Sequence, residues 1–323
     1  MHRIFLSAAA GVIAMLAVVA CGSRHYSSAG SGSALSEQLS LLRDDLAAVA
    51  DSVSGEVGIA LILWNGDTLT VNNSDSFPLM SVFKLHQALA LCHKLETHGV
   101  SIDTLVRVDR STLNPDTWSP MLKELTDEAF DISARDLMRF TLVKSDNNAS
   151  NLMFERFVTV EETDRFISTL VPRNGFQIRY SEAEMQKKHS LSYENRSSPL
   201  SVAMLIKKVF SDSILSADNQ QFIRETLFGC ATGTDRISLP LVGIDGVRIA
   251  HKTGSGYRDA GGRLIAHNDA AFIMMPDNRD YTLVVFVKDF DGDESEASAV
   301  ISEISSRVYR FVTGTFTQTE TKK

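Results

Sequence analysis

Ser81 and Lys84 stand three residues apart in the stretch SVFK, where an apolar segment begins that runs to Leu95. Apolar residues recur along this segment with the spacing of a mostly buried helix. Positions three apart share one face of a helix, so the two side chains are expected to meet. An N-capping serine and a lysine that reaches water would explain the same letters. A buried lysine is costly, however, unless a neighbour uses it, and an amine beside a serine hydroxyl can turn that hydroxyl into a nucleophile.

Three later segments supply polar residues that suit the same chemistry. They are KSDNNAS, with Ser145, Asp146 and Asn147; RYSEAEMQKKHS, with Glu182 and Glu184; and AHKTGSG, with Lys252, Thr253 and Gly254. S-D-N alone is compatible with a polar turn, and K-T-G alone with the end of a strand. The ordered set S-x-x-K, S-D-N and K-T-G is the signature of class A β-lactamases and penicillin-binding proteins.

The sequence therefore resembles the class A serine β-lactamases, from the helix predicted at Ser36 to the last helix. The stretches MSVFKLHQALALC, NPDTWSPM and SDNNASNLM resemble the cephalosporin-preferring subgroup. The resemblance implies a β-lactam small molecule as substrate and no cofactor. No cluster of Cys, His and carboxylate residues has metal-ligand spacing, so no metal is expected.

The resemblance also implies roles for individual residues. The nucleophile is Ser81, the base that activates it is Lys84, and Ser145 relays a proton to the departing ring nitrogen. The backbone N–H groups of Ser81 and Ser255 form the oxyanion hole. The residues implied in substrate binding are Asn147, Lys252, Thr253, Ser255 and Trp118, the last either at the cleft entrance or packed in the core. Asp146 is expected to tie the helical lobe together.

Hydrolysis of the acyl-enzyme requires a base that activates water, and two glutamates compete for this role. EAEM resembles the E-P-E-L of the family, which favours Glu182 over Glu184, and Pro199 follows at the family's separation. Two positions depart from the family pattern. Ala183 replaces its proline, and Gln186 replaces the asparagine that helps to hold the water.

Many class A enzymes carry an arginine on a late strand that binds the substrate carboxylate. The corresponding position here holds His267 or Asn268. Arg236, in TGTDRIS, resembles an alternative arginine of some members, and we expect it to substitute.

These residues must be positioned by helices and strands, and the order of the predicted elements indicates a fold of the α/β plus all-α class. A helix capped at Ser36 and a hairpin with its turn at Asn65 precede a long helical stretch, and strands and a last helix close the chain. We predict an antiparallel sheet flanked by helices, built from both chain ends, with an inserted helical domain and the active site in the cleft between. The predicted boundaries are residues 36–77 and 233–323 for the α/β domain and 78–232 for the helical domain.

The N-terminus reads as an export signal. Residues 1–21 begin with basic residues, continue with a short apolar run and end in VVAC. This resembles a lipoprotein processing site with Cys21 lipidated, whereas plain cleavage near Ala20 would release a soluble protein. Residues 22–35 are Gly/Ser-rich and read as a flexible linker. We expect a periplasmic protein, with a possible membrane tether through Cys21.

Composition narrows the classes of partner and of fold. The 323 residues are 44% hydrophobic and carry a net charge of -8, which suits one sizeable globular unit and gives no general attraction for nucleic acid. We expect a monomer. Cys92 and Cys230 are expected to be buried free thiols, although their pairing cannot be read from the sequence.

Three other functions compete with hydrolysis of β-lactams. A periplasmic D,D-peptidase acylates a serine in the same way, and Glu182 is the feature that argues against it. A relative that only traps β-lactams and a structural lipoprotein are the remaining alternatives.

Overall fold

The described part of the protein begins with the first helix. The computed structural model describes residues 29–316, so the predicted signal peptide, Cys21 and linker residues 22–28 lie outside the described residues. The first helix begins at Ala29 rather than at Ser36, and residues 29–35 are therefore helical. A serine does not stop a helix once it has formed, because each further residue adds a hydrogen bond without a new nucleation cost.

The helices are amphipathic or buried segments, and several of them begin at a residue whose side chain caps the first turn. In the described residues the α-helices are α1 (Ala29–Asp51), α2 (Phe83–Thr97), α3 (Pro120–Glu124), α4 (Ala134–Val143), α5 (Asn147–Arg156), α6 (Val160–Ile167), α7 (Glu182–Lys187), α8 (Pro199–Ser211), α9 (Ala217–Phe228) and α10 (Glu294–Val312). None of the helices in that range combines the length and the apolar run that crossing a bilayer requires.

In the part of the chain that the structure describes, the strands form one large sheet and two small ones. They are β1 (Glu56–Leu63), β2 (Thr68–Val71), β3 (Phe77–Pro78), β4 (Leu105–Asp109), β5 (Ala129–Ser133), β6 (Phe176–Gln177), β7 (Arg196–Ser197), β8 (Arg248–Ser255), β9 (Leu264–Met274) and β10 (Asp280–Phe290). The large sheet is antiparallel with the order β2-β1-β10-β9-β8. Its strands come from both ends of the chain, as predicted.

Helices cover both faces of the large sheet. On β9, His267 bonds to Ser298 of α10, whereas Phe272 stacks on Phe210 of α8. Odd and even positions of a strand point to opposite faces, so α8 and α10 lie on opposite sides. Nearly every residue of β9 is buried, so its sequence does not alternate between apolar and polar residues, and its buried polar residues His267, Asn268 and Asp269 are hydrogen-bonded.

The stretch between β2 and β8 is mainly helical around a buried α2, and it also contains short strands. β3, β7 and β6 form a three-stranded sheet, and β4 pairs with β5. The sequence predicts helical character from Ser81 to about Cys230. Strands of two to five residues were missed because they are too short to show a period of two.

From Leu39 to residue 316, the last one described, the chain forms one compact unit. The predicted division into a helical domain at residues 78–232 and an α/β domain at 36–77 and 233–323 therefore describes two regions of one unit. Their boundaries stay a prediction.

Candidate active site

The backbone at Ser81 is strained. A 3₁₀ turn at Met80–Val82 leads directly into α2, and Met80 has a φ of +45°. A non-glycine residue in this left-handed region costs about 1–2 kcal/mol, and such strain occurs where the fold fixes a functional side chain. The turn presents the half-buried Ser81 hydroxyl at the start of the helix, with Lys84 one turn further on.

Lys84 is fully buried, and its amino group has polar partners all around. Its Nζ donates to Ser81 Oγ at 3.0 Å, to the Ser145 carbonyl at 2.8 Å and to Asn147 Oδ1 at 2.6 Å. Nζ also lies 3.0 Å from Glu182 Oε1. Burial of a charge is tolerated when hydrogen bonds and an opposite charge compensate it. The three-residue spacing of Ser81 and Lys84 therefore places the amine within hydrogen-bond distance of the hydroxyl.

Glu182 and Glu184 occupy different environments on α7. Glu182 is buried, and its Oε1 accepts the Ser81 hydroxyl at 3.0 Å. Glu184 is exposed and forms a capping box with Ser181, which bonds to its backbone and side chain at the helix start. The structure brings Glu182 to the serine and leaves Glu184 at the helix cap.

Ser145 lies between the two buried lysines. Lys252 Nζ donates to Ser145 Oγ at 3.0 Å, while Lys84 contacts the Ser145 carbonyl. Ser145 also has a positive φ, +57°, so the backbone is strained on this side of the site as well. Burial in the first place, and Lys84 in addition, lower the pKa of Lys252 to about 7.

Residues 230–236 run alongside strand β8 and pair with it through side chains. Thr232 Oγ1 lies 2.6 Å from Thr253 Oγ1, and Arg236 Nη2 donates to Ser255 Oγ at 2.6 Å. Arg236 is buried, and its Nη1 donates to the Asn268 carbonyl at 2.6 Å. The arginine thus lies at the K-T-G strand, where we expected it.

His267 and Asn268, which stand at the sequence position of the family's carboxylate-binding arginine, make other contacts. The His267 imidazole bonds to Ser298 at 2.9 Å, and the Asn268 amide donates to the Pro78 carbonyl at 2.7 Å. Both side chains are therefore engaged elsewhere in the fold.

The glycine of K-T-G permits the close approach of β8 to the serine. A Cβ on Gly254 would lie 2.6 Å from the Leu79 carbonyl oxygen and 3.2 Å from the Ser81 nitrogen. A side chain there would push β8 away from the nucleophile.

Trp118 and Gln186 lie near the site but are not part of the central cluster. Trp118 is 56% exposed, so it is not packed in the core, and its Nε1 donates to the Lys144 carbonyl at 2.8 Å. Gln186 accepts from Asn114 Nδ2 at 3.0 Å and donates to the Asp116 carbonyl at 3.1 Å. Its amide ties α7 to the neighbouring loop, and its expected role beside the catalytic water stays a prediction.

Asp146 is a structural residue in this geometry. Fully buried, it accepts from the Ser119 hydroxyl, the Met121 N–H at 2.7 Å and the Ala149 N–H at 2.8 Å. The carboxylate therefore joins α3 to α5 and caps the latter.

Two contacts of this region were not predicted from the sequence. Thr117 accepts from Asn147 Nδ2 at 2.9 Å, and Thr232 pairs with Thr253. Thr232 lies in the same short segment as Arg236, and this proximity in sequence was the signal that could have pointed to it. In the described part of the chain, no group of His, Cys and carboxylate residues is arranged to hold a metal ion.

The fold and this site define the class of serine enzymes that react with β-lactams. A sheet built from both chain ends places K-T-G beside the start of α2, and the helical region delivers S-D-N and Glu182 to the same point.

Comparison with known proteins specifies the family. The chain belongs to the β-lactamase enzyme family, whose model matches residues 41–312. It is 49% identical over 284 residues to a β-lactamase of Phocaeicola vulgatus, covering 88% of each chain. It is 28% identical to the extended-spectrum β-lactamase PER-1 of Pseudomonas aeruginosa, covering 85% of this chain and 89% of that one. The structure matches a class A β-lactamase of Bacteroides cellulosilyticus with a TM-score of 0.80 and 27% identity, over 86% of this chain and 99% of that one.

These findings identify the protein as a class A serine β-lactamase. They bear out the family, the fold class and the hydrolytic activity expected from the sequence.

Proposed function

We propose that this β-lactamase works through an acyl-enzyme on Ser81, which water activated by Glu182 then hydrolyses. The observation that carries the proposal is the triangle of Ser81 Oγ, Lys84 Nζ and Glu182 Oε1, whose three sides are each 3.0 Å. A weak hydroxyl nucleophile needs a base at this distance. Glu182 then remains available to activate water for the second step.

The same geometry supports roles for the neighbouring residues. Ser145, held by Lys252, lies between the two lysines and suits proton transfer to the ring nitrogen. Asn147, held by Lys84 and Thr117, is positioned to hydrogen-bond the amide of the substrate side chain. The backbone N–H groups of Ser81 and Ser255 are proposed to hold the oxyanion.

A second group of side chains is proposed to bind the substrate carboxylate. Lys252 and Arg236 provide positive charge, and Thr253 and Ser255 provide hydroxyl donors. Their contacts with one another and with Thr232 hold the donors along one edge of β8. Trp118, exposed and next to Asn147 in space, is proposed to line the cleft entrance.

The substrate class proposed is cephalosporins first and penicillins second. The support is the resemblance of the segments at Ser81, Trp118 and Ser145 to the cephalosporin-preferring subgroup. Steady-state kcat/KM for one cephalosporin and one penicillin measures the preference, and a higher value for the penicillin would contradict it.

The proposed location is the periplasm, with the protein exported and tethered through a lipid on Cys21. The apolar run and the VVAC sequence support this, and both lie outside the described residues. The intact mass of the exported protein distinguishes a lipidated Cys21 from simple cleavage.

The activity is expected to fall above about pH 7 for substrates with a free carboxylate. Because burial lowers the pKa of Lys252 to about 7, the side chain loses its proton as the pH rises through that value. Lys84 and Arg236 contribute to this low pKa, whereas Cys230 and Glu182 oppose it. A hydrogen bond to a charged group contributes about 1.5–3 kcal/mol, so kcat/KM should fall by about tenfold or more.

The control for this pH profile is chemical. An ester of the same β-lactam has no negative charge for Lys252 to attract, so its kcat/KM should lack this decline. Lys252→Arg stays protonated and should shift the decline to higher pH. An equal decline for the ester, or an unchanged profile in the variant, would assign the titration to another group.

A further inference from the structure

Cys230 lies at the end of the row of side-chain pairs that joins residues 230–236 to strand β8. His251, Thr253 and Ser255 are alternate residues of β8 and therefore point to the same face. Cys230 interacts electrostatically with His251, Thr232 bonds Thr253, and Arg236 bonds Ser255. The thiol is thus the first of three successive pairs, and the other two hold the groups proposed to bind the substrate carboxylate.

The thiol has the surroundings of a reactive cysteine. His251 Nδ1 lies 3.0 Å from Asp269 Oδ1, and the imidazole interacts electrostatically with Cys230. Asp269 is fixed by the Ile237 N–H at 3.1 Å and by the Ala270 N–H at 3.0 Å. A cysteine, a histidine and an aspartate from three separate segments are thus brought together, and the aspartate holds the histidine. The same arrangement activates nucleophilic thiols in enzymes.

Electrostatics favour the thiolate. Burial alone raises the pKa of Cys230, but His251 and Lys252 outweigh it and lower the pKa to about 7. Burial lowers the pKa of His251, yet Asp269 and Cys230 together hold it well above its ordinary value. Cysteines beside positive groups and partly open to solvent are the ones that react with electrophiles, and Cys230 is half-buried.

The second thiol of the described chain provides a contrast. Cys92 is fully buried in the middle of α2, and its Sγ contacts Met138 Sδ at 3.5 Å. Burial raises its pKa to about 12. Both cysteines are free, as expected, but Cys230 is half-buried rather than buried, and only Cys230 has the surroundings of a nucleophile.

We propose that Cys230 is a modification site for small disulfides, and that its modification switches the β-lactamase off. The thiolate sulfur attacks one sulfur of the disulfide, whose S–S bond breaks as the new mixed disulfide forms. The other half leaves as a thiolate and takes a proton from water. An excess of a small thiol reverses the exchange.

Loss of activity follows from the position of the adduct. The sulfur of Cys230 lies 3.5 Å from Thr232 Oγ1, which itself touches Thr253. A group attached to that sulfur must displace Thr232 and, with it, the segment that carries Arg236. This step rests on the proposed role of Thr253, Ser255 and Arg236 in binding the carboxylate.

The test treats the full chain with 4,4′-dithiodipyridine, whose released thiopyridone reports the reaction, and peptide mapping by mass identifies the cysteine modified. Cys230 should be labelled, with a pH dependence centred near its pKa of about 7. Turnover of a chromogenic cephalosporin should fall at least about tenfold, since displaced positioning groups cost up to about 10²-fold. Dithiothreitol should restore it on the same molecules.

Two variants provide the controls. Cys230→Ser can still hydrogen-bond but cannot exchange with a disulfide, so its turnover should resist the reagent. Cys92→Ala should respond as the parent does. Labelling of Cys230 without loss of turnover, or loss of turnover with Cys230 unlabelled, would overturn the proposal. If the untreated parent does not turn over β-lactams, the proposed function fails instead, and the labelling result still stands on its own.

Discussion

Glu182→Gln is expected to acylate normally and then to stall as a stable acyl-enzyme. The amide of glutamine fills the space of the carboxylate but cannot take a proton from water. Since Lys84 still lies 3.0 Å from Ser81 Oγ, the first step keeps its base. Loss of a general base typically costs about 10²–10⁴-fold, and here the cost falls on deacylation alone.

Stopped-flow measurement with excess chromogenic cephalosporin separates the two steps. The parent should turn over continuously, and Glu182→Gln should give one stoichiometric burst, with the mass of the adduct on Ser81. Glu184→Gln is the matched control, because it changes the same functional group two residues away. Glutamine also serves at this position of a capping box, so that variant should keep parental rates. A stall in both variants, or in the parent itself, would remove Glu182 from the proposed role.

Part of the site could be predicted because it is local. Ser81 and Lys84 lie on one helical turn, and the apolar period around them fixes the shared face. Their 3.0 Å contact therefore follows from spacing alone. The large sheet was predictable for a similar reason, since its strands and the flanking helices carry long, distinct apolar patterns.

Contacts between distant segments could not be derived in this way. Glu182 is separated from Ser81 by 101 positions, and only the resemblance to a family suggested that they meet. Gln186 matched a family position, yet the extra methylene of its side chain carries the amide to the loop at Asn114 and Asp116. Sequence position gives a residue's place on an element, whereas its partners depend on side-chain reach and on neighbours folded against it.

The pairing of residues 230–236 with β8 is a further example of this limit. The alternation along a strand predicts that His251, Thr253 and Ser255 share a face. It does not predict that Cys230, Thr232 and Arg236 follow them in the same order, because that segment has no regular period. The match between an irregular segment and a strand is visible only in the folded chain.

Lys84→Met is expected to lose the acylation step itself. Methionine has a similar length and suits the buried site, but it offers neither a base nor a donor to Ser81 Oγ. Without the amine, the hydroxyl keeps its proton and remains a weak nucleophile. We expect the acylation rate to fall by about 10²–10⁴-fold, so that the burst seen with Glu182→Gln is absent.

Lys94→Met is the matched control, since Lys94 lies on the same helix and forms only a partly exposed ion pair with Glu162. Such pairs contribute about 0–1 kcal/mol, so this variant should acylate at the parental rate. The comparison with Glu182→Gln then decides which base serves which step, because Glu182 Oε1 also lies 3.0 Å from Ser81 Oγ. A Lys84→Met protein that is folded by circular dichroism and still gives the burst at the parental rate would assign acylation to Glu182. A burst lost only in Lys84→Met would instead assign acylation to Lys84 and leave deacylation to Glu182.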